Sequence, residues 1–313
     1  MNVGDIRSVA VVGAGLMGHG IAQEFALAGY NVHLHDLSDE KLQQAAITMQ
    51  ANLQLLTDLG VVTQTQREGV LRNIQSSTAL DDVVGDADVV IEAVFEQLEL
   101  KLEVFQQLDR LCPERTILAS NSSTLLPSKL AAATRRPEQV LIAHYYNPPY
   151  LLPLVELVRH PATSDATVTT MFDLLTNVGK KPAIVQKEVP GFIGNRLQGA
   201  LFREALSLVE QGIASAEDVD TVVKNSIGRR YAVAGPFEIW ELAGWDFILA
   251  ALQYLTPTLE SSTQISALLQ AKVAHGELGV KTGKGFYEWT PESVDALKRR
   301  IGQALATIST WSS

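Results

Sequence analysis

The chain opens on a repeating pattern in which a short β-branched run and a turn lead into a longer stretch with apolar residues at helical spacing. Ser8–Val12 (SVAVV) is apolar over its last four positions, as suits a strand covered on both faces. Leu16–Ala28 carries the helical period, Gly29 ends it, and Asn31–His35 (NVHLH) reads as a second strand. Further strands are predicted at Val89–Glu92, Ile117–Ser120, Val140–Ala143, Leu154–Leu157 and Ala183–Gln186, with helical patterns between most of them. Strands separated by helices imply a largely parallel sheet with helices on both faces. The period changes after Pro190. From Gly191–Gln211 to the end the patterns are helical, and a second helix is expected to start at Ser215, whose hydroxyl can cap the amides behind it. The expected fold class is thus α/β, with a mostly parallel sheet followed by an all-α C-terminal domain. The boundary is expected near residues 187–190, giving domains 1–188 and 189–313.

Composition narrows the function classes. At 313 residues and 46% apolar content the chain suits two ordinary globular domains. Its 25 Lys and Arg against 35 Asp and Glu leave a net charge of −10, which argues against nucleic acid as a partner, since phosphate binding needs a cationic face. The single Cys112 cannot form an internal disulfide and fits a reducing compartment. No N-terminal apolar leader and no long uncharged apolar run is evident, so a soluble, cytoplasmic protein without membrane association is expected.

Gly13-Ala14-Gly15-Leu16-Met17-Gly18 is a GxGxxG sequence set between a predicted strand and a predicted helix. Gly13 permits a tight turn, Gly15 lets backbone approach a pyrophosphate, and Gly18 allows close packing of helix on strand. The helix N-terminus supplies amides and positive dipole. Alone the hexapeptide is weak evidence, but here its strand, its helix and an acid at the end of the second strand, Asp36, accompany it. The first domain is accordingly expected to be a Rossmann-type dinucleotide-binding domain. A carboxylate at Asp36 can accept hydrogen bonds from both ribose hydroxyls and would repel a 2′-phosphate, and no Lys or Arg follows before Lys41, so NAD is expected rather than NADP. Capping the helix that begins near Ser38 is the alternative role for Asp36.

The segments VAVVGAGLMGHGIAQ, SNSSTLLPSKL, HYYNPPYLLPLVELV, VPGFIGNRLQ, GPFEIWELAGWD and GVKTGKGFYEW together resemble the L-3-hydroxyacyl-CoA dehydrogenase superfamily, in its order and at close to its spacing. The middle segments lean toward its L-gulonate 3-dehydrogenase (lambda-crystallin) branch, and GVKTGKGFYEW toward the acyl-CoA enzymes. The resemblance covers nearly the whole chain. It implies an NAD-dependent dehydrogenase acting on the C3 secondary hydroxyl of a 3-hydroxy acid or its thioester.

His144 and Glu156 are the expected catalytic pair. His144 follows the strand Val140–Ala143, and Glu156 lies in the next strand pattern, so adjacent strand ends can bring the two together. Oxidising an alcohol requires a base for the hydroxyl proton as hydride leaves carbon, and a neutral imidazole suits that task. A carboxylate on the other ring nitrogen fixes the tautomer and stabilises the imidazolium. The resemblance gives the pair these same roles. It further implies that Ser123 and Asn195 contact the substrate oxygen, that Asn147 neighbours His144, and that Glu96, Lys101 and Lys281 contact the nicotinamide cofactor. Without that resemblance, Ser123 reads equally as a helix cap before Pro127, and Asn195 as a helix N-terminal residue. Tyr145, Tyr146 and Tyr150 read as pocket wall. No metal site is expected, because His33 and His35 share a strand face but lack a third ligand. Cys112, beside Pro113, has no evident activating base.

The substrate class turns on cations. Coenzyme A carries several phosphate charges, and in the acyl-CoA enzymes a helical segment after the second strand supplies the basic residues. Residues 42–100 here contain no Lys and only Arg67 and Arg72, among many acids. By contrast, Arg230 in RRYAVAGP matches the gulonate-type pattern and could clamp a free carboxylate, although Arg229-Arg230 could equally be an exposed surface pair. A small free hydroxycarboxylate is therefore expected, with an acyl-CoA such as 3-hydroxybutyryl-CoA as the alternative substrate and a homodimer as the expected assembly. A non-catalytic, crystallin-like NAD-binding scaffold would keep the glycines but lose the His–Glu pair, and this chain retains both.

Overall fold

The computed structural model describes residues 2–309 and Trp311. Two compact units divide the chain, residues 1–195 and 196–313. The first holds eight strands: β1 Ser8–Val12, β2 Asn31–His35, β3 Ile74–Ser77, β4 Val89–Glu92, β5 Ile117–Ser120, β6 Val140–Tyr145, β7 Leu154–Val158 and β8 Lys181–Val185. They form one sheet in the order β3-β2-β1-β4-β5-β6-β7-β8. Pairing is parallel from β3 through β6, antiparallel between β6 and β7, and parallel again between β7 and β8. The first six positions follow the doubly wound dinucleotide-binding order.

Alternation along β1 explains why the sheet needs cover on both faces. Val9 and Val11 enter one buried cluster with Ile21, Phe25, Val32 and Leu34. Ala10 and Val12 enter the opposite cluster with Val90, Phe105, Leu108 and Leu118. Both faces are apolar, so neither can meet water. The mostly parallel, helix-covered sheet is the expected fold. The strand absent from the sequence reading is β3, an edge strand of sequence IQSS with its two central residues exposed. One-sided burial at a sheet edge leaves no apolar run to detect. Strand β8 begins two residues before its apolar pattern because Lys181 and Pro182 extend it, and a proline is tolerated on an edge strand.

The first helix spans Gly18–Leu27 rather than starting at Leu16, and Gly18 is where it meets the sheet. A Cβ built there would lie 1.7 Å from the Gly13 carbonyl oxygen. Segment 189–195, which the sequence pattern joins to the second domain, clusters with the first unit. Its Ile193 and Gly194 amides both donate to Glu156 on β7, at 2.9 Å each.

The second unit is helical. Its helices include Ala216–Asn225, Ile227–Tyr231, Pro236–Ala243, Trp245–Leu255, Ala267–Ala274 and Pro291–Ser309. Ser215 does cap the first of these, accepting from the Asp218 amide at 3.0 Å. Among the described residues, strand-like pairing here is limited to isolated bridges at Gly279–Lys284 and Lys284–Glu288. No helix among the described residues is long and apolar enough to cross a membrane.

Gly18→Ala is expected to lower stability by about 1–3 kcal/mol through backbone overpacking, read as a lower urea midpoint. Gly15→Ala, whose methyl would meet nothing within 4 Å, should leave the unfolding free energy within about 0.5 kcal/mol of the parent.

Candidate active site

The glycine loop runs from the end of β1 into helix Gly18–Leu27. Gly13 takes φ +103°, and a Cβ there would stand 2.7 Å from the Ala93 carbonyl oxygen, so conformation and packing both demand glycine. Gly15 faces open space, and Leu16 beside it is exposed, while Met17 occupies the position before the helix. Such a cradle fits a dinucleotide pyrophosphate, which needs backbone within reach and a helix N-terminus behind it. Asp36, just past β2, accepts from the Ala14 amide at 2.9 Å and from the Leu37 amide at 2.7 Å. It therefore ties the second strand to the glycine loop, and Ser38 rather than Asp36 caps the following helix, Asp39–Asp58. Lys41 Nζ lies 3.4 Å from Asp36 Oδ1, because the helix turns this residue back toward the acid. The carboxylate whose next cation looks distant in sequence thus has one beside it.

A buried charge network lies under the neighbouring loop. Glu92, at the end of β4, is fully buried and accepts from Lys101 Nζ at 2.6 Å, the Val94 amide at 2.7 Å and the Ser120 hydroxyl at 2.5 Å. Lys101 is itself buried, and its three protons face Glu92, Glu96 at 3.4 Å and the Val94 carbonyl at 3.3 Å. Glu96 in turn accepts from the Ser122 hydroxyl and the Ser123 and Thr124 amides. Burial pushes the Glu96 carboxyl up, but the Ser122 hydrogen bond, the Lys101 charge and the Thr124 contacts outweigh it and hold it below its ordinary value. The Ser122–Thr124 turn is shaped by this acid. Ser123 is therefore no helix cap; the helix Pro127–Ala131 begins later, with the Ser128 amide held by Glu188.

His144 and Glu156 stand directly opposite each other in the antiparallel β6–β7 register. The side chains share a face, and Nδ1 of His144 lies 2.8 Å from Oε2 of Glu156. Both residues are almost fully buried. An ionised carboxylate accepts only, so Nδ1 carries the proton and Nε2 is left as the basic nitrogen. Burial pushes the Glu156 carboxyl up, yet hydrogen bonds from His144, the Gly194 amide, Tyr146 and the Ile193 amide together hold it below its ordinary value. Phe192, buried at φ +50°, turns the chain so that those two amides follow, and its ring lies 5.4 Å from the imidazole. This left-handed backbone at a bulky residue is strain that the Glu156 contacts offset.

Asn195 is the second residue of helix Gly194–Glu210, and its side-chain amide donates to the Ser123 carbonyl at 3.4 Å. The two expected substrate-oxygen contacts are therefore neighbours although 72 residues separate them. Asn147 is exposed in the loop after β6 and precedes a cis proline. That loop packs on the cofactor helix: Lys180 donates to the Pro149 carbonyl at 2.7 Å and pairs with Glu24, and a Cβ on Gly20 would meet Pro149 at 2.6 Å.

Arg230 and Lys281 belong to the second unit. Arg230, in helix Ile227–Tyr231, lines an open hollow of about 400 Å3 whose other walls are Val233, Ala234, Ile239, Leu242 and Ala243. Lys281 is exposed in the turn between Gly279 and Lys284. His35 bonds the Ser77 carbonyl, and no group of three potential metal ligands exists among the described residues. Burial pushes the Cys112 thiol up to about 12, which leaves it inert. Sequence reasoning missed Glu92, which reads as the end of an apolar strand, and the hydroxyl of Tyr146, which donates to Glu156 at 3.0 Å. The only sequence signal for Glu92 is an acid closing the run VVIE.

Comparison with known proteins gives this geometry its context. Residues 8–189 match the NAD-binding domain of 3-hydroxyacyl-CoA dehydrogenase, and residues 191–289 match its C-terminal domain. The chain is 33% identical over 303 residues to a 5-formyl-3-hydroxy-2-methylpyridine 4-carboxylate 5-dehydrogenase of Mesorhizobium japonicum, covering 97% of each. A solved structure of an enzyme of that activity, described as an NAD+ dependent dismutase, superposes with a TM-score of 0.91 at 32% identity, covering 97% of both chains. A lambda-crystallin homolog of Bos taurus is 42% identical over 235 residues, 75% of this chain and 73% of the relative. The crystal structure of (S)-3-hydroxybutyryl-CoA dehydrogenase from Ralstonia eutropha superposes with a TM-score of 0.77 at 36% identity, covering 91% of this chain and 100% of that one. With residues 8–189 and 191–289 matched by its two domains, the chain belongs to the 3-hydroxyacyl-CoA dehydrogenase family of NAD-dependent oxidoreductases.

Proposed function

We propose that the protein reversibly oxidises the C3 secondary hydroxyl of a small, L-gulonate-like free hydroxycarboxylate. The observation that carries the chemistry is the His144–Glu156 contact at 2.8 Å, which leaves Nε2 as a base. His144 takes the hydroxyl proton at that nitrogen, and Glu156 stabilises the imidazolium that forms. Ser123 and Asn195 donate to the substrate oxygen and hold it against the ring, with Asn147 alongside. When bound, NAD+ supplies the hydride acceptor. Gly13, Gly15, Leu16, Met17 and Gly18 would hold its pyrophosphate and Asp36 its ribose hydroxyls, and Glu96 and Lys281 would complete its contacts. Since Lys101 is buried on Glu92, its contribution passes through Glu96.

The substrate class rests on Arg230, which lines an open hollow with apolar neighbours and whose guanidinium would engage the carboxylate. A relative named for a pyridine 4-carboxylate, matched along almost the whole chain, supports the same class. The second reading is an acyl-CoA substrate, favoured by the match to a 3-hydroxybutyryl-CoA dehydrogenase structure. In either case residues 1–188 bind the cofactor, and residues 189–313 serve substrate contact and dimerisation. Exposed Leu201, Phe202, Trp245, Phe247 and Leu249 supply the apolar surface a homodimer would cover. The cytoplasm suits a chain whose one thiol is buried.

His144→Gln should lower turnover roughly 10²–10⁴-fold while NADH binding, followed by fluorescence, persists. In the parent, alcohol oxidation should rise with pH to a plateau. Glu156, its carboxyl held below the ordinary value, stays ionised throughout that rise. Near-normal turnover in the variant would place the base elsewhere.

Arg230→Ala should raise KM for free hydroxycarboxylates by about ten- to a hundredfold, since a hydrogen-bonded charge contributes ~1.5–3 kcal/mol. Arg230→Lys should recover only part of that, because a point charge lacks the planar fork. Robust turnover of 3-hydroxybutyryl-CoA, none of free hydroxy acids and an indifferent Arg230→Ala would decide for the thioester.

A further inference from the structure

Tyr146 follows the last residue of β6, and its hydroxyl donates to Oε2 of Glu156 at 3.0 Å. The same oxygen lies 2.8 Å from His144 Nδ1. The Tyr146 and His144 rings are 4.6 Å apart at 53°. Position 194 makes room for this arrangement, since a Cβ on Gly194 would sit 1.9 Å from the Tyr146 hydroxyl. Oε1 meanwhile accepts from the Ile193 and Gly194 amides. A carboxylate offers about four acceptor sites, and here all of them have donors.

We propose that Tyr146 is a positioning residue for the catalytic pair: by sharing Glu156 Oε2 with the imidazole, its hydroxyl weakens the carboxylate's pull on the ring proton. The base is thereby kept neutral at a lower pH than a lone His–Glu pair would allow. This rests on the reading of His144 as the base. The physical chain is short. Each donor on Oε2 withdraws charge from it, so an imidazolium at His144 gains less from Glu156 when Tyr146 is present. Burial pushes the Tyr146 phenol well above its ordinary range, and the adjacent Glu156 charge adds to that, so the hydroxyl remains a donor wherever the enzyme works. The described contacts of the pair come from Tyr146 beyond β6, from Phe192 and the Ile193 and Gly194 amides at the start of helix Gly194–Glu210, and from Ala183 opposite Glu156 on β8. Among these described contacts Tyr146 is the ionisable group.

The test is Tyr146→Phe in the full-length protein, with the His144 ring titrated by NMR and its signal assigned by its loss in His144→Gln. The titration midpoint should rise by about half a pH unit or more. On the acidic side, alcohol oxidation should fall about threefold relative to its own plateau, the same shift expressed as a rate. KM on the plateau should change little, which a general loss of structure would not leave intact. Gly194→Ala, which displaces the hydroxyl while keeping the tyrosine, should move the midpoint in the same direction. An unchanged or lowered midpoint in Tyr146→Phe overturns the proposal. If His144→Gln keeps its turnover while Tyr146→Phe still moves the ring titration, the assignment of the base fails and the coupling stands.

Discussion

Glu156 has two carboxylate oxygens and four donors, drawn from β6, from the loop beyond it and from the segment that leads into helix Gly194–Glu210. Taking a carboxylate out of water costs several kcal/mol. Hydrogen bonds to an ionised group contribute ~1.5–3 kcal/mol each, so four of them together offset that cost and keep it charged. Without Glu156 the histidine would lose its orienting partner and the strained turn at Phe192 its compensation. The geometry of the proposed catalytic pair and the local backbone conformation therefore depend on one ion.

The antiparallel step between β6 and β7 is what makes this possible. In a parallel pair with a crossover, residues twelve apart could not face each other. By reversing direction after β6, the sheet puts His144 and Glu156 in register and leaves the connecting loop, Tyr146–Pro153, at the same end as the cofactor loop. Lys180 and Pro149 then join that connection to the glycine-loop helix. This end of the sheet, where the proposed site lies, is thus tied to the glycine-loop helix.

A second buried ion supports the other side of the site. Glu92 and Lys101 are both inaccessible, and a pair of this kind adds little net stability over an apolar equivalent. Its worth lies in orientation. Lys101 fixes Glu96, and Glu96 gathers the Ser122–Thr124 turn around a single oxygen. The network sets where Ser123 stands.

Sequence alone determined the elements whose chemistry is local. A run of apolar residues buried on both faces specifies β1, β4, β5 and β6 whatever surrounds them, and the placement of Gly13 and Gly18 specifies a turn that only glycine can make at those two positions. His144 and Glu156 were legible because each lies in a strong strand pattern. What lies at the edge or depends on distant partners was not. β3 shows no apolar run, Lys41 reaches Asp36 only once its helix has formed, and Glu92 gives no hint of the lysine that meets it. The hydroxyl of Tyr146 reads as part of an aromatic wall until Gly194, 48 residues on, brings its missing side chain alongside. Periodicity and glycine placement act within a few residues and so are written in the chain. Which donors fill a buried carboxylate is decided only when strands and loops remote in sequence exclude water from the same few cubic ångströms.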